Sequence, residues 1–342
     1  MPKTLSRRQW TVLGLGVLAG VAVAGTLVWQ DAIQPVGGQS PIRIVIAPGS
    51  SVRQVGQQLQ EAGVIRRRWA WSLWSRLFPW VVAAGTYDLD PTETLPSVIA
   101  QLQRGETVQV RITIPEGWSI RQMDAYLREN HGIDNFQALA EEVRNVALPE
   151  WLPQEAPSLE GYLFPETYQL PIESVTAQAL IERMLAQFAR QALPLWQAHT
   201  PPPQVTLHEW VTLASIVEKE AVLASERTLI AGVFWKRLAL GIPLGADPTV
   251  EYALNIRQTP ERRLTFADIR TPSPYNTYLN VGLPPGAIAS PGLASLQATL
   301  TPSDTEYLYF VARYDGSHVF SKTLAEHEAA QRTIIRQQQS GS

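Results

Sequence analysis

The chain has 342 residues, 45% of them hydrophobic and 17% charged, with a net charge of −3. This composition suits a folded protein with a real core and room for about two domains plus an anchor, and the near-neutral balance speaks against a nucleic-acid partner. Cysteine is absent, which excludes disulfides, thiolate nucleophiles and cysteine-type zinc sites.

The first nine residues, a basic segment expected in the cytoplasm, carry Lys3, Arg7 and Arg8, and the 20 residues from Trp10 to Trp29 contain no charge. At ~1.5 Å per residue such a helix spans a ~30 Å hydrocarbon layer. Its terminal tryptophans sit where interfacial aromatics belong, and the basic flank is the side that stays in the cytoplasm. Residues 10–29 therefore read as a single-pass transmembrane helix, with everything after Asp31 outside. A cleaved signal peptide is the rival reading, because Ala22-Val23-Ala24 resembles a cleavage site. The apolar run continuing to Trp29 favours the uncleaved anchor. Residues 30–42 read as a short flexible linker.

Two segments then align at a constant offset. RIVIAPGSSVRQVGQQLQEAGVI from Arg43 and RITIPEGWSIRQMDAYLRENHGI from Arg111 are identical at 10 of 23 positions. Each reads as a short alternating strand, a glycine turn at Gly49 or Gly117, and a helix opened by Ser51 or Ser119. Ser-x-x-Gln in both copies predicts a capping box, and the apolar spacing that follows predicts an amphipathic helix. WAWSLWSRLFPW (69–80) predicts a second helix and AGTYDLD (84–90) a strand. Strand, helix, helix, strand over residues 43–110 resembles a LysM-type module, a resemblance that implies binding of N-acetylglucosamine-containing glycans. A packing unit with no ligand is an equal reading of the same repeat.

From 111 to 332 the pattern mixes helices and short strands without strand–helix–strand alternation, so the expected fold class is α+β. A helix is expected over 173–197, a break at the proline triplet 201–203, and a helix over 207–224 capped by Thr206. Another covers 225–240, and 244–254 is a turn leading into a helix. The segment 271–292 is too rich in proline and glycine for regular structure. A loop of that length is uncommon unless functional, which makes it a candidate binding wall. Residues 306–323 read as a hairpin turning at Asp315-Gly316, followed by a closing helix and a flexible tail, 333–342.

LASIVEKEA (213–221) places two glutamates in an otherwise apolar helix. On a helical wheel Trp210, Ala214, Val217, Ala221 and Ala224 form the apolar stripe, with Glu218 and Glu220 on opposite flanks. Neither has a lysine or arginine three or four residues away, so no local ion pair explains them. Glu220 sits among the bulky Leu213, Ile216 and Leu223, and Glu218 among the small Ala214, Ser215 and Ser225. The space beside Glu218 suits a carboxyl that protonates a glycosidic oxygen. The plainer alternative is pairing of either glutamate with a distant cation.

ASIVEKEA, ASER, ADPTVEYAL, PYNTYLNVGLPPGAIASPG and YLYFV…GSHVF occur in this order, and LEGYLFPETY precedes them at 159–168. Together they resemble the YceG-like family of endolytic murein transglycosylases, over about residues 43–332. The resemblance implies an inner-membrane enzyme facing the periplasm, with a LysM-like part before a catalytic domain at 111–332. It implies cleavage within peptidoglycan glycan strands and assigns catalysis to Glu218, the first glutamate of the motif. A lytic transglycosylase needs only that one acid: it protonates the oxygen between N-acetylmuramic acid and N-acetylglucosamine, and the C6 hydroxyl closes on C1 to leave a 1,6-anhydro end. Glu166 and Asp247 are candidate second acids or cleft residues; Asn276 and Tyr278 could hold N-acetyl or hydroxyl groups; Tyr168, Tyr252 and Tyr275 offer aromatic faces to a sugar. Cell-wall synthases are expected partners. A two-carboxylate hydrolase using Glu218 with Glu166 or Asp247, and a non-catalytic glycan-binding scaffold, remain open. No metal or cofactor is expected, since the five histidines show no H-x₃₋₅-H or HExxH spacing.

Overall fold

A computed structural model describes residues 7–39, 41–142, 148–199, 205–259, 262–313 and 315–340. The proline triplet and Lys3 lie outside the described residues, as do the side chains of residues 10–14 and 16 in the expected anchor. The chain divides into two compact units: residues 1–110 with 169–174, and residues 111–168 with 175–342.

The first unit begins with a long helix, α1 (Arg7–Ile33). Among the described residues no helix is long and apolar enough to cross a membrane. The expected linker is not a free tether. Trp29 and Ile33 pack against the core of this unit, in which Ala32 is buried, and the Arg66 guanidinium donates to the Pro35 carbonyl at 2.7 Å. The Gly37 N–H donates to Pro91 O at 2.9 Å.

Strand β1 (Ile42–Ile46), helices α2 (Val52–Glu61) and α3 (Arg68–Leu77) and strand β2 (Gly85–Leu89) follow in the predicted order. β1 and β2 pair antiparallel, with Ile44 opposite Tyr87. Helix α4 (Leu95–Arg104) completes a core built on Val55, Leu59, Trp71, Tyr87 and Leu89. α3 stops before Pro79, earlier than the sequence pattern suggests, because the residue before a proline is pushed out of helical geometry. Strands β3 (Gln109–Thr113) and β4 (Thr167–Pro171) form a second pair, and the division between units falls inside both strands.

The second unit contains α5 (Ile120–His131), α6 (Phe136–Glu141), α7 (Ala177–Gln191) and α8 (Leu193–Ala198). The single helix expected over 173–197 is broken at Ala192, because Pro194 in the first turn of α8 has no N–H to continue the α7 ladder. Helices α9 (Leu207–Glu220), α10 (Arg227–Ala239), α11 (Asp247–Leu254) and α12 (Leu293–Leu300) pack around α9. The hairpin of β5 (Tyr309–Ala312) and β6 (His318–Ser321) sets Phe310 opposite Phe320. α13 (Leu324–Ser340) closes the chain, extending the helix through most of the expected tail. All three sheets among the described residues are two-stranded, so the class is α+β.

The repeat is visible as geometry. Ser51 and Ser119 each cap their helix with a complete capping box closed by Gln54 and Gln122. The preceding turns both need glycine, at φ +77° for Gly49 and +72° for Gly117.

Candidate active site

α9 is held from its first turn. Thr206 accepts the Glu209 N–H, Glu209 returns a bond to the Thr206 N–H, and every residue from Trp210 to Val217 is buried. The Trp210 indole donates to Leu296 O at 3.0 Å, fixing α9 against α12. Ser215 Oγ accepts the Ile288 N–H at 3.0 Å, which ties the proline- and glycine-rich segment to the same helix.

The expected helix over 207–224 ends at Glu220, with Ala221 already extended at φ −83° and ψ 105°. Ser225, expected beside Glu218 on the wheel, lies instead in the 3-10 turn Ala224–Glu226. Glu218 therefore stands in the last turn of α9, half-buried. Its small neighbour comes from another helix: Ser295 Oγ donates to Glu218 Oε2 at 2.6 Å, and the Gly292 N–H donates to the same oxygen at 3.1 Å. Both donors belong to the first turn of α12, whose N-terminal dipole favours a negative charge there. Among the described residues Oε1 accepts no hydrogen bond, and no cation pairs with the carboxyl.

A second carboxylate lies against the same peptide. A Cβ on Gly292 would fall 2.0 Å from Glu116 Oε1 and 2.6 Å from Oε2, so a side chain at 292 would displace the carboxyl from this place. The turn carrying Glu116 is clamped to the same segment, by Gly117 N–H to Ser290 O at 2.8 Å and Ser290 N–H to Trp118 O at 2.9 Å. Lys219 Nζ reaches Gly117 O at 3.3 Å. Burial, and then the Glu218 charge, push the Glu116 carboxyl above the usual range, while Arg227 pulls it back. Helical periodicity around 218 gives no sign of Glu116. The repeat does, because Glu116 occupies the place held by Pro48 in the first copy.

The other candidate residues divide into groups. Tyr252 and Tyr275 meet with ring centroids 4.9 Å apart, and the Arg121 guanidinium lies 5.5 Å over the Tyr252 ring. A groove of ≈190 Å³ is lined by Ser119, Arg121, Gln122, Lys219, Glu251 and Tyr252, among others. Asp247 accepts the Tyr278 hydroxyl at 2.6 Å and Gln258 Nε2 at 3.2 Å. The buried Asn276 spends its amide on the Ile269 and Thr271 carbonyls and on the Tyr278 N–H, so it shapes the loop 269–278. Tyr168 is buried, with its hydroxyl donated to Phe164 O at 2.5 Å. Glu166 is exposed and accepts the N–H of its neighbour Thr167 at 3.0 Å.

Two further acids are strongly perturbed. Glu160 is buried, and accepts the Ile120 N–H at 3.0 and 3.1 Å and the Tyr252 hydroxyl at 3.3 Å. Burial pushes its carboxyl up to about 8 against those donors. Glu220 is also pushed up to about 8, by burial first and then by Asp247 and Glu251. Among the described residues, no cluster of histidine and carboxylate side chains is arranged to hold a metal ion.

Comparison with known proteins gives a consistent picture. The profile of the YceG-like family matches residues 44–333. An endolytic murein transglycosylase of Bacillus subtilis is 32% identical over 324 residues, covering 90% of this chain and 89% of that protein. An endolytic murein transglycosylase of Streptococcus pneumoniae is 30% identical over 358 residues, 94% of this chain but 64% of the longer streptococcal protein. The 2.6 Å crystal structure of a yceG-like protein from Listeria monocytogenes superimposes with a TM-score of 0.55 at 30% identity, covering 86% of this chain and all of that one.

Proposed function

The chain belongs to the YceG-like family, and from that premise we propose that it is an endolytic murein transglycosylase in which Glu218 acts first as acid and then as base. The observation that carries this reading is the asymmetric setting of the Glu218 carboxyl. Oε2 is fixed by Ser295 and Gly292, and Oε1 is left without a partner among the described residues. A carboxyl oriented through one oxygen can give and take a proton at the other without moving.

In the proposed step Glu218 protonates the oxygen linking N-acetylmuramic acid to N-acetylglucosamine. As that bond breaks, the C6 hydroxyl of the muramic acid attacks C1, and Glu218 recovers a proton from the hydroxyl. Nucleophile and electrophile belong to one sugar, the N-acetylglucosamine leaves with the protonated oxygen, no water is consumed, and the product ends in 1,6-anhydro-muramic acid. Because the nucleophile is already attached to the electrophile, proximity supplies much of the rate. The groove bounded by Arg121, Lys219, Glu251 and Tyr252 offers donors and an aromatic face for neighbouring sugars. Tyr275, Asp247 and Tyr278 extend this reading as glycan contacts. Tyr168 and Asn276 brace backbone in their own segments, at Phe164 and in the loop 269–278.

The charge-free run Trp10–Trp29 is proposed as a single-pass anchor holding the enzyme on the extracytoplasmic face of the plasma membrane, within reach of cell-wall synthases. The first unit, with its strand–helix–helix–strand order, is proposed as a LysM-like part.

Digestion of purified glycan strands with mass analysis of the products tests the chemistry. Anhydro ends are expected, and their loss in Glu218→Gln; reducing ends would mean a water-consuming hydrolase, and intact strands a binding scaffold. Alkaline extraction of membranes tests the anchor, since a spanning chain stays in the pellet.

A further inference from the structure

We propose that Glu116 is the second carboxylate of this active site, an anion that stabilises positive charge on the reacting sugar while Glu218 moves the proton. The inference rests on the reading of Glu218 as the acid. A glycosyl group leaving C1 develops oxocarbenium character, and an anion beside it stabilises the charge that develops. Glu218 cannot serve as that anion while it carries the proton it is about to donate.

Four features of Glu116 fit the task. Its carboxyl lies against Gly292, the residue whose N–H holds Glu218 Oε2, so the two acids flank one peptide. No described residue donates a hydrogen bond to its oxygens, and it is exposed, so its acceptor capacity is free for a ligand. The turn that carries it is held by the reciprocal backbone bonds between 117–118 and Ser290. Finally, the turn does not need a glutamate. The first copy of the repeat builds the same turn and the same capping box with Pro48 at this place. A residue that the duplicated frame can replace by proline has another reason to be acidic in the copy that borders Glu218.

The charged groups facing Glu116 are Glu218 and Lys219 from α9 and Arg227 from α10. Glu218 opposes its ionisation and Arg227 supports it.

The test uses the full chain in detergent with purified glycan strands, comparing Glu116→Gln, Glu116→Asp and Glu218→Gln. Glu116→Gln keeps size and polarity and removes only the charge. It is expected to melt like the parent, to lose about 100-fold in kcat with KM changed less than about twofold, and to lose the acid limb of the kcat profile. Glu116→Asp should recover part of the rate, because the charge returns at a longer distance. Glu116→Gln turning over at the parent kcat, or raising only KM, would overturn the proposal, as would equal losses in the Gln and Asp variants with lowered melting. If Glu218→Gln itself remains active, the acid assignment fails instead.

Discussion

Glu160→Gln is a direct probe of how the second unit stores free energy in a buried acid. Glu160 is 4% exposed, and its carboxyl keeps its proton up to about pH 8 in the folded state against an ordinary value of 4.5. Between those two values the folded chain binds a proton that the unfolded chain has released. The folded state then holds more protons, so stability falls as pH rises through this window and levels off above about pH 8. The interval, 8 − 4.5 or about 3.5 units, at about 1.4 kcal/mol per unit, sets a loss of at most about 5 kcal/mol. For a unit of this size that corresponds to roughly 10 °C in melting temperature. Glutamine retains the acceptor for the Ile120 N–H and has no proton to lose, so its share of the slope disappears. Glu220 contributes a slope of the same sign in both proteins, and the quantity read is therefore the difference between them. Calorimetric melts at pH 5, 6, 7 and 8 are expected to converge at pH 5 and to diverge by pH 8, with the variant the more stable. Parent and variant curves running parallel across the whole range would show that Glu160 does not hold its proton in the fold.

Three further outcomes follow from the site. Ser295→Ala removes the 2.6 Å donor to Glu218 Oε2; kcat on glycan strands is expected to fall about 10- to 100-fold, the worth of one charge-assisted hydrogen bond, with little change in melting temperature. Gly292→Ala sets a methyl against the free end of the exposed Glu116 side chain, which can swing aside; stability should change by less than about 1 kcal/mol, while kcat falls, and a Gly292→Ala loss of kcat that is undiminished in a Glu116→Ala background would refute the contact. Glu220→Gln removes a charge opposed by Asp247 and Glu251; the variant should gain stability relative to the parent as pH rises towards 8 while cleaving glycan at the parent rate, and a selective loss of kcat would place Glu220 in the chemistry.

Local signals in the sequence carried well into the structure. Both Ser-x-x-Gln boxes form, the strand–helix–helix–strand order of the first unit is present, and the segment 271–292 has no regular structure before α12. The end of α9 was not legible, because nothing between 221 and 226 is a stop signal. The helix stops for a tertiary reason. Glu226 accepts the His318 N–H at 3.1 Å and pairs with its Nδ1 at 2.7 Å, drawing 224–226 towards the β5–β6 hairpin. Likewise Pro194 splits α7 from α8 at a point where apolar periodicity runs on undisturbed. Asn276 shows the same limit from the other side: its residue type suits a sugar amide, but three backbone partners within its own loop already use it.

The small residues of its own helix single out Glu218 in the sequence, but the neighbour that the wheel places beside it, Ser225, lies elsewhere in the structure. The wheel assigned its open side to Ser225, whereas the small partner is Ser295, 77 positions away and at the start of another helix. What the wheel detected was that α9 itself leaves room beside Glu218; which group fills that room is set by the packing of α12 on α9. The same reasoning explains why Glu116 escapes any local reading. It lies 102 positions before Glu218 in a turn whose chemistry looks like simple strand-to-helix punctuation. The comparison of the two repeat copies draws attention to it, since they share the glycine, the serine cap and the glutamine, and where one copy has Pro48 the other has an acid. A duplicated frame thus supplies an internal control that a single segment lacks: what both copies keep is needed to fold, and what one copy changes beside an acid is the place to look for chemistry.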